Sequence, residues 1–96
     1  MVSINEELKA AKAAKAAINA LSMATPKSAV LATLSKAKNA AILNLSSGGA
    51  LNEARTYVGI ALSNLIHGPL TPQSIDMAKR AIEAWIRGLE ALPALK

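Results

Sequence analysis

Few side chains in this sequence carry groups that do chemistry. His67 is its one imidazole, Glu6, Glu7, Glu53, Asp76, Glu83 and Glu90 are its carboxylates, and it has no cysteine. A lone histidine excludes multi-histidine metal sites and the paired Glu-x-x-His motifs of di-iron bundles. Without thiols there are no disulfides, thiolate zinc sites or cysteine nucleophiles. No metal or cofactor is expected. No serine stands with a histidine and a carboxylate in a nucleophile-elbow context. Gly48-Gly49 is too short for a phosphate loop and reads as a turn between helices.

Two lysines invite a closer look. On a helical projection Lys15 lies beside Leu8 and Ile18 on an inward stripe, and Lys38 lies among Leu31, Leu34, Ile42 and Leu45. Buried methylenes with the ammonium reaching water explain such positions. A pair of lysines facing an anionic ligand is the functional alternative, and a desolvated catalytic amine has little support. His67 falls in the last turn of a helix, where an imidazolium suits the negative end of the dipole. The carboxylates are scattered, most with a lysine or arginine nearby on the same helix. So few usable groups argue against an enzyme.

The elements that hold these residues are helices. Ser3 followed by Glu6 is a capping box that opens a first helix, about Ile4 to Met23. Thr25-Pro26 opens a second, running to about Leu45 and stopping at Ser46-Ser47-Gly48-Gly49. The third spans about Ala50 to His67 and ends at Gly68-Pro69; Thr71-Pro72 opens the fourth, which ends near Leu92 before Pro93. No segment alternates like a strand. The halves also match: Ile4-Asn5-Glu6 recurs as Leu51-Asn52-Glu53, Thr25-Pro26-Lys27-Ser28 as Thr71-Pro72-Gln73-Ser74, and Ala17-Ile18-x-x-Leu21 as Ala61-Leu62-x-x-Leu65. The expected architecture is one all-α domain over residues 1–96, an antiparallel four-helix bundle built from two tandem hairpins, about 3–47 and about 50–92.

The four helices present different faces. In the fourth, Asp76, Lys79, Arg80, Glu83, Arg87 and Glu90 fall in one arc with interleaved signs, a solvated ion-pair surface opposite the core residues Ile75, Ala78, Ile82, Trp85, Ile86 and Leu89. The third buries Leu51, Ala54, Val58, Ala61, Leu62 and Leu65 and shows an unusually neutral outer side: Asn52, Thr56, Gly59, Ile60, Ser63 and Asn64. The first buries Ile4, Leu8, Ala11, Ala14, Ile18 and Leu21, while its reverse side carries Ala10, Ala13, Ala16, Ala17 and Ala20. A helix apolar on two sides is normally covered on two sides, although alanine also fills exposed positions through helix propensity alone.

The net charge of +5 is uneven: residues 1–48 carry +4, through Lys9, Lys12, Lys15, Lys27, Lys36 and Lys38 against Glu6 and Glu7, and residues 49–96 carry +1. That asymmetry suits weak, non-specific binding of nucleic acid or another polyanion, yet the first half has no arginine and there is no aromatic platform for bases. The acidic N-terminus lacks a secretory pattern, and no run approaches the ~18 apolar residues of a membrane span; a soluble, cytoplasmic protein is the expectation. The leading functional expectation is a non-enzymatic interaction or self-assembly module that associates through Ala10, Ala13, Ala16, Ala17 and Ala20, aided by Ile60, with itself or a protein partner. Polyanion binding by the six lysines is the alternative. A third is an apolar-ligand carrier lined by Met23, Met77 and Trp85.

Overall fold

A computed structural model of the chain describes residues 3–21, 26–45 and 49–91. Four helices, α1 (Ile4–Leu21), α2 (Leu31–Leu43), α3 (Ala50–His67) and α4 (Pro72–Glu90), follow one another. Each packs on its sequence neighbour and α4 returns to α1, closing an antiparallel four-helix bundle made of two hairpins, α1–α2 and α3–α4. No strand occurs among the described residues.

Local chemistry fixes the ends. The Glu6 amide donates to Ser3 Oγ at 3.1 Å, the expected first-helix cap. At α4 the capping box is reciprocal: the Ser74 amide donates to Thr71 Oγ1 and the Thr71 amide to Ser74 Oγ, both at 3.0 Å. Pro72 follows at the first helical position. Gly49, which precedes α3, has φ +91°, a conformation that side chains with a Cβ rarely adopt.

The expected second helix begins late. Pro26 (ψ 144°) leads into a 3-10 turn, Lys27–Ala29, and Val30 (φ −119°, ψ 2°) separates that turn from α2. The break sinks Val30 into the core, and the Val30 carbonyl accepts the first bond of α2, from Leu34, at 3.0 Å. Thr25, the expected cap, lies outside the described residues.

The core pairs small against large. Hairpin α1–α2 contributes many alanines, Ala10, Ala11, Ala14, Ala17, Ala37, Ala40 and Ala41, beside Ile18, Leu21 and Leu34, while α3–α4 supplies more of the bulk in Leu62, Leu65, Ile82, Trp85 and Leu89 beside Ala61, Ala78 and Ala81. Alanine faces let the larger side chains fill the shared interior at close helix spacing. Between α3 and α4 the approach is close at Gly88, where a Cβ would stand 2.9 Å from Leu51 Cδ1.

Candidate functional site

The heptad-like buried seams of the four helices each contain one polar member. On α1 the seam is Glu7, Ala11, Ala14, Ile18 and Leu21; on α3 it is Arg55, Val58, Leu62 and Leu65. On α2 Leu34, Ala37 and Ala41 lead to Asn44, the residue that caps its C-terminus, and on α4 the seam includes Trp85. Because the helices alternate in direction, the N-terminal turns of α1 and α3 lie at the same end of the bundle as the C-terminal turns of α2 and α4. These four side chains meet there.

Glu7 is fully buried and is the hub. Its Oε1 accepts from Asn44 Nδ2 at 2.7 Å and from Arg55 Nη2 at 2.8 Å. Its Oε2 accepts from Arg55 Nε at 2.7 Å and from Trp85 Nε1 at 2.6 Å. A carboxylate has about four lone-pair sites, so each is matched by a donor. The Arg55 fork supplies the opposite charge in two-point geometry. Burial alone pushes the Glu7 carboxyl up; the hydrogen bonds from Arg55, Asn44 and Trp85 and the guanidinium charge outweigh it, and the result lies below the ordinary value of 4.5. Among the described residues, no buried side-chain nitrogen or oxygen is left without a partner.

Chemically the cluster is saturated. No lone pair of Glu7 faces a substrate, and the Trp85 indole N–H is committed to it. Trp85 is fully buried and Met77 half-buried; Met23 lies outside the described residues. What the cluster does is bind all four helices at one level.

The sequence expectations on α1 need correction. Ala10 and Ala17 are buried, at 7% and 8% exposure, not on an outer face. Since α1 packs on both α2 and α4, its buried face is broad and centred on Ala14, so these two methyls lie in the α1–α2 seam. Ala13 and Ala16 are exposed, and Ala20 is half-buried. The same rotation moves Lys15 off the inward stripe: it is exposed beside α4, at a small cleft shared with Ile18, Asn19, Lys79 and Glu83.

The expected polyanion surface is likewise divided. Lys27 is drawn inward: its Nζ donates to the carbonyls of Ile66 at 3.1 Å and Gly68 at 3.0 Å, capping the negative end of α3 from the α1–α2 connection. Lys12 sits 3.5 Å from Glu90, an exposed pair bridging α1 and α4. Lys38 is half-buried, as a snorkelling lysine should be. Lys9 and Lys36 remain exposed and line one groove between α1 and α2, of about 420 Å³, with Glu6, Ala10, Ala13 and Thr33.

The outer face of α3 is different. Ile60 is 53% exposed at its centre and Tyr57 38% exposed beside it; Ile42 on α2, 43% exposed, adjoins it. A Cβ at Gly59 would stand 3.5 Å from Ile42 Cγ1, which puts Ile42 at the height of Ile60. Thr56, Asn64 and His67 are also exposed, and Ser63 is half-buried. Among the described residues no metal-holding cluster occurs and no helix is long and apolar enough to cross a membrane.

Fold and site together define a class: a four-helix bundle with a buried, charge-neutral polar centre and a partly apolar α3 surface that carries no lysine or arginine. Comparison of the chain with family models, with curated proteins and with solved structures finds no match.

Proposed function

We propose that the chain is a non-enzymatic self-association module, and that its contact surface is the outer face of α3 flanked by Ile42 rather than the alanine face of α1. The observation that carries this reading is the exposure of Ile60 in the middle of a helix face with no lysine or arginine on it. Exposed branched aliphatic side chains on a neutral surface favour contact with another apolar surface. The residual alanine surface, Ala13 and Ala16 with part of Ala20, offers one methyl per residue and far less area. The saturated Glu7 centre supports a structural role for the buried Glu7–Arg55 ion pair rather than a catalytic one. A cytoplasmic setting belongs to the same proposal.

Light scattering over a concentration series tests it. The wild-type mass should rise with concentration, and Ile60→Glu should hold the protein monomeric without changing its helicity. Ala13→Glu with Ala16→Glu should leave association intact. A wild-type protein that stays monomeric throughout refutes the proposal.

A second reading rests on Lys9 and Lys36 facing a common groove: weak polyanion binding that falls steeply with salt. Anisotropy of a labelled single-stranded oligonucleotide at low ionic strength tests it. No change on adding protein eliminates this reading; loss of binding in Lys9→Gln with Lys36→Gln supports it.

A further inference from the structure

We infer that the occupant of this face is a second copy of the chain, with the two α3 helices antiparallel and the twofold axis passing beside Ile60. The inference rests on the self-association proposed above and specifies its partner and register.

The spacing of α3 carries it. Glu53, Ile60 and His67 recur at seven-residue intervals, so they fall along one line of the helix, Ile60 midway between the other two. Thr56, Tyr57, Ser63 and Asn64 fill the positions three and four residues away; six of the seven are exposed and Ser63 is half-buried. An antiparallel twofold through Ile60 sets Ile60 on Ile60 of the second copy. Tyr57 then faces Asn64 of the second copy, Thr56 faces Ser63, and Glu53 meets His67 at both ends. A parallel pairing sets the Glu53 carboxylate on the Glu53 carboxylate, whereas the antiparallel one gives each Glu53 carboxylate an imidazole N–H to accept from. Charge therefore selects the antiparallel arrangement.

Two further observations agree with it. The Lys27 ammonium, held on the carbonyls of Ile66 and Gly68, adds positive potential at the end of α3 that receives Glu53 of the second copy. A twofold perpendicular to the helices also brings α2 over α2, and Ile42, level with Ile60, widens the apolar centre. The net charge of +5 makes most approaches of two copies repulsive, whereas this face carries no lysine or arginine. The contact runs about 21 Å along one helix, at ~1.5 Å per residue. One helix face buries less than the ~1,600 Å² of a standard interface, so the dimer is weak and reversible.

The absence of cysteine makes site-directed cross-linking direct, because any introduced thiol is the only one in the chain. Single variants Thr56→Cys, Ser63→Cys, Glu53→Cys and His67→Cys are treated with a short bis-maleimide, alone and as mixtures. The mixtures Thr56→Cys with Ser63→Cys and Glu53→Cys with His67→Cys should give cross-linked dimer at least about tenfold faster than any of these variants alone, since the complex raises the effective concentration of the matched pair only. Ile60→Cys should cross-link to itself. Glu53→Cys coupling to itself as fast as to His67→Cys overturns the register. Association in light scattering together with that unmatched pattern rejects the antiparallel arrangement alone; monomers in light scattering reject the self-association beneath it.

Discussion

Replacing Glu7 by glutamine removes one charge and almost no volume from the centre of the bundle. All four acceptor sites of the carboxylate are taken, by Asn44, by Arg55 twice and by Trp85. Glutamine keeps one acceptor oxygen and brings an NH₂ group. In either amide orientation that NH₂ opposes two donors: Asn44 Nδ2 and Arg55 Nη2 on one side, or Arg55 Nε and Trp85 Nε1 on the other. Arg55, whose side chain is 8% exposed, retains its positive charge with no anion beside it. Removing one partner of a buried ion pair costs about 3–5 kcal/mol. A domain of this size is stable by roughly 5–14 kcal/mol in total, so Glu7→Gln should lower the melting temperature by about 15–30 °C. Urea unfolding followed by circular dichroism and by the fluorescence of Trp85, the one tryptophan, measures the change. Arg55→Met and the double variant complete a cycle in which the double should cost less than the sum of the singles by at least about 2 kcal/mol. A cost for Glu7→Gln below about 1 kcal/mol, or strict additivity, would show that the four-helix contact does not hold the fold as described.

The same carboxylate predicts a pH dependence. Its pKa is lower in the folded chain than the ordinary 4.5, so its contribution is fully present above that value and is lost as pH falls through the folded pKa. The urea midpoint of the wild type should therefore drop on acidification below about pH 4.5, and a comparable drop in Glu7→Gln would contradict this assignment. Lys27→Met should cost about 1 kcal/mol of stability through loss of the cap on α3 and leave oligonucleotide anisotropy unchanged; weakened oligonucleotide binding would return Lys27 to the polyanion surface. Thr71→Ala removes one half of the α4 capping box and should cost about 1 kcal/mol, read from the urea midpoint, with an unchanged midpoint counting against the cap.

The α3 face divides along similar lines between what a sequence shows and what it hides. Its neutral character and Ile60 are legible because helical periodicity sorts residues onto faces regardless of what the helix meets. The alanines of α1 are less legible, since alanine has no size or polarity to distinguish a seam from solvent; only the angular position of α2 and α4 around α1 separates Ala10 and Ala17 from Ala13 and Ala16. Glu7 and Arg55 left a trace that periodicity contains, for each stands at a seam position with apolar residues three, four or seven places away. Charge at a seam position marks a buried pair only when the partner helix is known, and that information is tertiary.

By itself the sequence determined that four helices follow one another, the caps at Ser3 and Thr71, the stop at Gly68-Pro69 and the hairpin order, because these depend on side-chain chemistry within a turn or two of the chain; the late start of α2 at Leu31 did not follow from it. It also determined the charged face of α4, where partners lie three or four residues apart, as Arg80 and Asp76 do at 3.0 Å. Only the tertiary structure decided that Glu7 joins Asn44, Arg55 and Trp85, residues 37, 48 and 78 positions away. The same holds for Lys27, which reaches the end of α3 some 39 to 41 residues on. Such contacts depend on which helix ends share a level in the bundle, and no local pattern encodes that.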